Sequence, residues 1–195
     1  MNRWLLHPAA KPLVWLLLAA PAAWLVWGAV QDTLGPNPAE ALIRGLGDWT
    51  LRWLCLTLAI TPWRRLSGWS GLARFRRNAG VATFVYATLH WVAYAWFDME
   101  WSVASLLADL PKRPFILVGT VAWLAMLPLA LTSFNAAVRA LGGRAWRDLH
   151  KVTYVLGPLA ILHFWWMRSG KHDLLEPALY GLLIGGLLLS RRWSR

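Results

Sequence analysis

The chain has 195 residues, a formal net charge of +11, 58% hydrophobic residues and a mean hydropathy of +0.43. Soluble domains carry roughly 45–50% apolar residues, and the excess here lies in long runs, which excludes disorder, while the lone Cys55 excludes a disulfide scaffold. The basic residues punctuate apolar stretches instead of clustering on one amphipathic unit, so the pI of 11.1 reads as a topology signal and not as nucleic-acid binding.

A membrane-crossing helix needs about 20 apolar residues. Six stretches are candidates. The first covers 12–30; its length, Pro12, Pro21 and the lack of a small-x-small cleavage site mark it as a retained span and not a removed signal. The second, 49–62, is the weakest, with Asp48 and Arg52 crowding its start. The third covers 80–97, the fourth 114–132, the fifth 149–167 and the sixth 174–189.

Charge orders these spans. The N-terminus, the loop with Arg64, Arg65, Arg74, Arg76 and Arg77, the connection with Arg139, Arg144, Arg147 and Lys151, and the C-terminus hold fourteen basic residues and one acid. The other side holds six basic residues and eight acids. The positive-inside rule puts the first group, and both termini, in the cytoplasm. Several tryptophans (Trp27, Trp49, Trp63, Trp96, Trp101, Trp165, Trp166 and Trp193) fall near span ends, as an interfacial aromatic belt would.

Five histidines remain. His7 and His172 fall outside the spans and read as solvated. An imidazole inside a bilayer is costly and faces the protein interior, as a ligand or as a hydrogen-bonded helix contact. His90 and His163 sit on spans three and five, both in the outer half of the membrane at about 5–10 Å from the periplasmic end. Two imidazoles at one depth on two helices suit axial ligation of a heme. Zinc would ask for further ligands, and Cys55 reads as a core residue. His150 lies about 19 Å below His163 and on a different face of an ideal helix. No histidine on span three opposes it, since Arg76 and Arg77 stand there. An inner heme, a flavin or a quinone stay open as its ligand.

Several segments carry a resemblance. They are LGPNP after span one, LAITPWRR closing span two, ATLHWVAYA around His90, KRPFILVG opening span four, and RAWRDLHKVTYVLGPLAILHFWW around His150 and His163. In order along almost the whole chain, they resemble the ferric-reductase-like transmembrane family, which includes the NADPH oxidases. Within it, the likeness is to the heme-binding membrane subunits of bacterial periplasmic methionine-sulfoxide reductase systems.

The resemblance implies one transmembrane domain over residues 1–195, a six-transmembrane-helix bundle of the bacterial inner membrane. It implies a b-type cytochrome with heme b between helices three and five, on His90 and His163. His150 matches the family's inner histidine. Arg76 or Arg77 stands where the oxidases have a second inner histidine, which leaves a second heme open. No Gly-rich dinucleotide fingerprint is present, so the expectation is that electrons come from a membrane quinol or a separate cytoplasmic flavin reductase, with FMN as a further cofactor. The resemblance names the electron acceptor as a soluble periplasmic molybdopterin reductase that reduces methionine sulfoxide in oxidised proteins. The catalytic step would belong to that partner, with 32–48 and 98–113 as docking segments.

Two further sites have a bland alternative beside the functional one. Arg52 either pairs with a heme propionate or snorkels to the interface. Arg74, Arg76 and Arg77 either attract a flavin phosphate or acidic donor, or serve topology and anionic membrane lipid. Two rival functions are a stand-alone ferric or cupric reductase, and a non-redox transporter using histidines as proton relays.

Overall fold

The computed structural model describes residues 3–170 and 173–192; Lys171, His172, Trp193 and Arg195 lie outside the described residues. Regular structure among the described residues is helical. The helices are α1 (Ala10–Val30), α2 (Pro38–Ser67), α3 (Arg76–Phe97), α4 (Val103–Asp109), α5 (Pro114–Leu131), α6 (Asn135–Leu149), α7 (Thr153–Ser169) and α8 (Leu175–Arg192). Short 3-10 turns occupy Arg3–Leu6, Ser70–Phe75 and His150–Val152. Each expected span lies largely within one of α1, α2, α3, α5, α7 and α8. Among the described residues, α1 and α5 are long and apolar enough to cross a membrane. The chain divides into two compact units, residues 1–101 and 102–195.

Three segments differ from expectation. The stretch 32–48 is not an open loop, because α2 begins at Pro38. The Asn37 side chain accepts from the Glu40 N–H at 3.2 Å, and proline occupies the first helical turn, where its missing N–H costs nothing. Asn37→Ala is expected to cost about 1 kcal/mol, read as a lower thermal midpoint in detergent. Residues 139–144, between the fourth and fifth expected spans, are helical within α6. That helix breaks at Gly142, whose φ of 75° favours glycine. His150 sits in a 3-10 turn ahead of α7 and not on it, so ideal-helix phase does not relate it to His163.

In the first unit α3 packs chiefly on α2. Its buried face carries several small residues, Ala79, Ala82, Thr83, Ala87 and Ala93, beside Tyr86 and Tyr94. Small side chains let backbones approach where lipid offers no hydrophobic drive between helices. Thr57 and Thr83 hydroxyls meet across the seam at 3.4 Å, and Cys55 is buried on α2. Tyr86, 3% exposed, reaches α1 from this seam. Its hydroxyl accepts from the Ala22 N–H and donates to the Leu18 carbonyl, both at 2.8 Å. That bridges one turn of α1 beside Pro21, which has no N–H to give. Tyr86→Phe is expected to cost about 1–2 kcal/mol, measured as a drop in the unfolding midpoint.

The outer face of α1 presents Leu13, Leu16, Leu17, Trp24, Val26 and Trp27. So wide an apolar surface suits lipid and not water. Of the tryptophans expected at interfaces, Trp27, Trp63, Trp96, Trp101, Trp165 and Trp166 are exposed. Trp49 is different: it packs with Trp53 against Leu25, Leu46, Tyr86 and Ala93.

In the second unit α7 packs on α5 and on α8. Gly157 brings α7 against Ile184 and Leu188 of α8. Arg168, near the end of α7, pairs with Asp173 at 2.7 Å and Glu176 at 2.9 Å, which ties that end to the start of α8. Arg113 at the start of α5 forks onto both oxygens of Asp109 at 2.8 Å, closing the turn after α4.

Candidate functional site: two carbonyl-bonded histidines

His90 lies on the packed face of α3, half-buried, about two turns before the helix ends at Phe97. Its Nδ1 is 2.8 Å from the Ile43 carbonyl oxygen on α2. A carbonyl oxygen only accepts, so Nδ1 carries the proton and Nε2 holds the lone pair. The ring lies over Gly47, where a Cβ would fall 3.1 Å from Cε1 and 3.2 Å from Nδ1. Gly47 follows Ile43 by one helical turn, so carbonyl and glycine share a face.

The second unit repeats this arrangement with different residues. His163 on α7 lies less than two turns before Ser169. Its Nδ1 donates to the Phe115 carbonyl of α5 at 2.7 Å. Gly119, one turn after Phe115, lies under the ring: a Cβ there would be 2.7 Å from Nδ1 and 2.8 Å from Cε1. An imidazole with Nδ1–H on a backbone carbonyl presents Nε2 as its ligand atom, as metal-bound histidines do. Among the described residues, no three His, Cys, Asp or Glu side chains group together as for a metal ion. An iron already held in a macrocycle asks the protein for only one or two axial ligands.

His150 is held locally. Its Nδ1 donates to the Trp146 carbonyl at 2.9 Å, and its ring stacks on Trp146 at 3.8 Å between centroids. Trp146 in turn donates to the Thr132 carbonyl at 2.9 Å, anchoring α6 to the end of α5. His150 thus shares the tautomer of the other two but lacks the cross-helix carbonyl and the glycine.

The arginines separate. Arg52 lies midway along α2 with its guanidinium 4.7 Å above the Trp49 ring, since the helix starts well before the expected span. Arg74 donates to the Leu5 carbonyl at 2.9 Å, which pins the N-terminal turn to the connection before α3. Arg76 reaches the Thr61 hydroxyl at 3.4 Å, and Arg77 is exposed at the start of α3. His7 is exposed, as expected. Sequence reasoning missed Ile43, Phe115, Gly47 and Gly119. Glycines inside apolar helices were the visible signal, but only helix pairing says which of them face a histidine.

The family model described as the ferric reductase like transmembrane component matches residues 46–166, a stretch holding all three histidines. The protein-methionine-sulfoxide reductase heme-binding subunit MsrQ of Polaromonas naphthalenivorans is 50% identical over 193 residues, covering 99% of this chain and 88% of the relative. The subunit of the same name from Herminiimonas arsenicoxydans is 46% identical, covering 93% and 83%. That of Xanthomonas campestris is 44% identical, covering 96% and 87%. No solved structure matches the chain. The chain belongs to the ferric-reductase-like transmembrane family, in its MsrQ branch.

Proposed function

We propose that this protein is a six-span b-type cytochrome subunit of the bacterial inner membrane, with both termini cytoplasmic. It passes electrons outward to a periplasmic molybdopterin methionine-sulfoxide reductase, MsrP. His90 and His163 supply Nε2 to the iron of one heme b. His150 marks the cytoplasmic-side site, where a second heme, FMN or a quinol is the occupant. The relatives' shared description as heme-binding subunits supports the cofactor. The observation that carries the residue assignment is the repeated arrangement of an Nδ1–H on a neighbouring helix's carbonyl, at 2.8 Å for His90 and 2.7 Å for His163.

The chain's own contribution follows from those bonds. Each carbonyl holds the ring's tautomer and orientation, so the ligand atom is ready before any cofactor arrives. Packing on a neighbouring helix shields one side of each ring and lowers the local dielectric there. A bound heme supplies one-electron redox chemistry, with a potential set by its ligands and burial. Arg52 and Arg77 are secondary: Arg52 for a propionate, Arg77 for a flavin phosphate or anionic lipid.

Purified protein in lipid vesicles tests the reading. The expected result is a b-type reduced-minus-oxidised spectrum whose reduced form is reoxidised by MsrP plus methionine sulfoxide. Either a quinol or a flavin reductase should restore the reduced form. A colourless protein after expression with ample heme overturns the cytochrome reading. Reoxidation by ferric or cupric chelates but not by MsrP favours the stand-alone reductase.

A further inference from the structure

The glycines beneath the two histidine rings carry an inference of their own, resting on the reading of His90 and His163 as heme ligands. We propose that Gly47 and Gly119 are positioning residues: each is a side-chain-free shelf that holds an imidazole with its Nδ1–H on the carbonyl one turn earlier. They thereby set the rotation of each ring about its bond to iron.

Three observations support this. The arrangement occurs twice, on α2 beneath α3 and on α5 beneath α7, with unlike neighbours: Ile43 with Gly47, Phe115 with Gly119. The fit is tight. A Cβ at Gly119 would stand 2.7 Å from Nδ1, closer than real Cβ contacts come, so the ring must turn or the helices must part. Turning the ring breaks the 2.7 Å bond to Phe115. Other helical glycines are also tightly packed, Gly28 on Leu34, Gly45 on Leu25 and Gly157 on Ile184, but their neighbours are aliphatic. Among the described residues Gly47 and Gly119 are the glycines whose Cβ would meet a histidine ring, and a Cβ at Gly185 or Gly186 of α8 would meet nothing within 4 Å. Glycine inside a helix weakens it relative to alanine, so a shelf is a reason to keep it.

The two sites are graded. At Gly47 the nearest ring atom would be 3.1 Å from a Cβ, against 2.7 Å at Gly119. Alanine therefore disturbs His163 more than His90.

The test compares full-length, heme-loaded Gly47→Ala, Gly119→Ala and the control Gly185→Ala with wild type. The readouts are heme per chain, the low-spin electron paramagnetic resonance g-values, which report ring orientation, and the rate of heme transfer to apomyoglobin. Gly119→Ala should shift the largest g-value and release heme about 10-fold faster or more. Gly47→Ala should shift it less, and Gly185→Ala should match wild type. If Gly119→Ala gives no folded protein, the milder Gly47→Ala carries the same reading through its g-shift. Wild-type g-values and heme release in both alanine variants overturn the shelf, given that His163→Ala has lost one heme per chain. Full heme content in His163→Ala and in His90→Ala overturns the ligand assignment beneath it.

Discussion

On the proposed ligation, His163→Ala and His90→Ala should each lose the b-type reduced-minus-oxidised bands of the outer heme, with heme per chain falling by one. Alanine has no donor atom. The helix carbonyls of Phe115 and Ile43, which hold the two rings at 2.7 and 2.8 Å, remain but have nothing to orient. The loss extends to stability: a tightly bound cofactor adds free energy to the folded state alone, about 4 kcal/mol when present at 1,000 times its dissociation constant. The alanine variants should therefore melt at the temperature of the heme-free wild type. His163→Met separates ligation from packing. A thioether keeps the iron coordinated but raises its potential relative to two imidazoles, so this variant should retain heme and reduce more readily. His150→Ala should leave the outer bands intact; any chromophore that disappears with it belongs to the cytoplasmic-side site.

Gly157→Leu is the second large effect, and it acts on the protein without touching a cofactor. A Cβ at Gly157 would lie 2.9 Å from Ile184 Cγ2 and 3.2 Å from Leu188 Cδ1. Ile184 is 2% exposed, so it has no room to retreat. A leucine there forces α7 and α8 apart, at about 3 kcal/mol, the upper end of overpacking costs. Lipid does not offset this, because apolar chains pack against leucine on either side of the interface. Gly186→Leu, on the same α8 but over open space, should change the unfolding midpoint little. Equal losses at the two positions would show that the α7–α8 seam does not set the cost, since leucine is a better helix former than glycine at both.

Much of the helical architecture was legible from hydropathy. Five of the six expected apolar stretches match helices to within four residues at each end, because a long apolar run closes its own backbone hydrogen bonds when it leaves water. The second span failed at its start: Arg44, Asp48 and Arg52 broke the apolar pattern, while Asn37, Pro38 and Glu40 were already a helix N-terminus. His150 was misplaced for a related reason. The fifth apolar run begins before the α-helix does, and a 3-10 turn from His150 to Val152 intervenes. The histidines themselves were visible as costly polar groups among apolar ones. Their carbonyl partners were not, because every residue has a carbonyl and only the register between two helices selects Ile43 and Phe115.

The hydroxyl of Tyr86 has a consequence for biosynthesis. A membrane protein is threaded in from its N-terminus, and α1 enters the bilayer while Tyr86, 64 positions beyond Ala22, is still to be delivered. At that moment the Ala22 N–H and the Leu18 carbonyl have only each other, so the first helix enters as a self-sufficient rod with one hydrogen bond missing at Pro21. Arrival of the third helix adds a bridge through the Tyr86 hydroxyl to both groups. The Tyr86 anchor on the N-terminal helix therefore depends on a residue made 64 positions after Ala22.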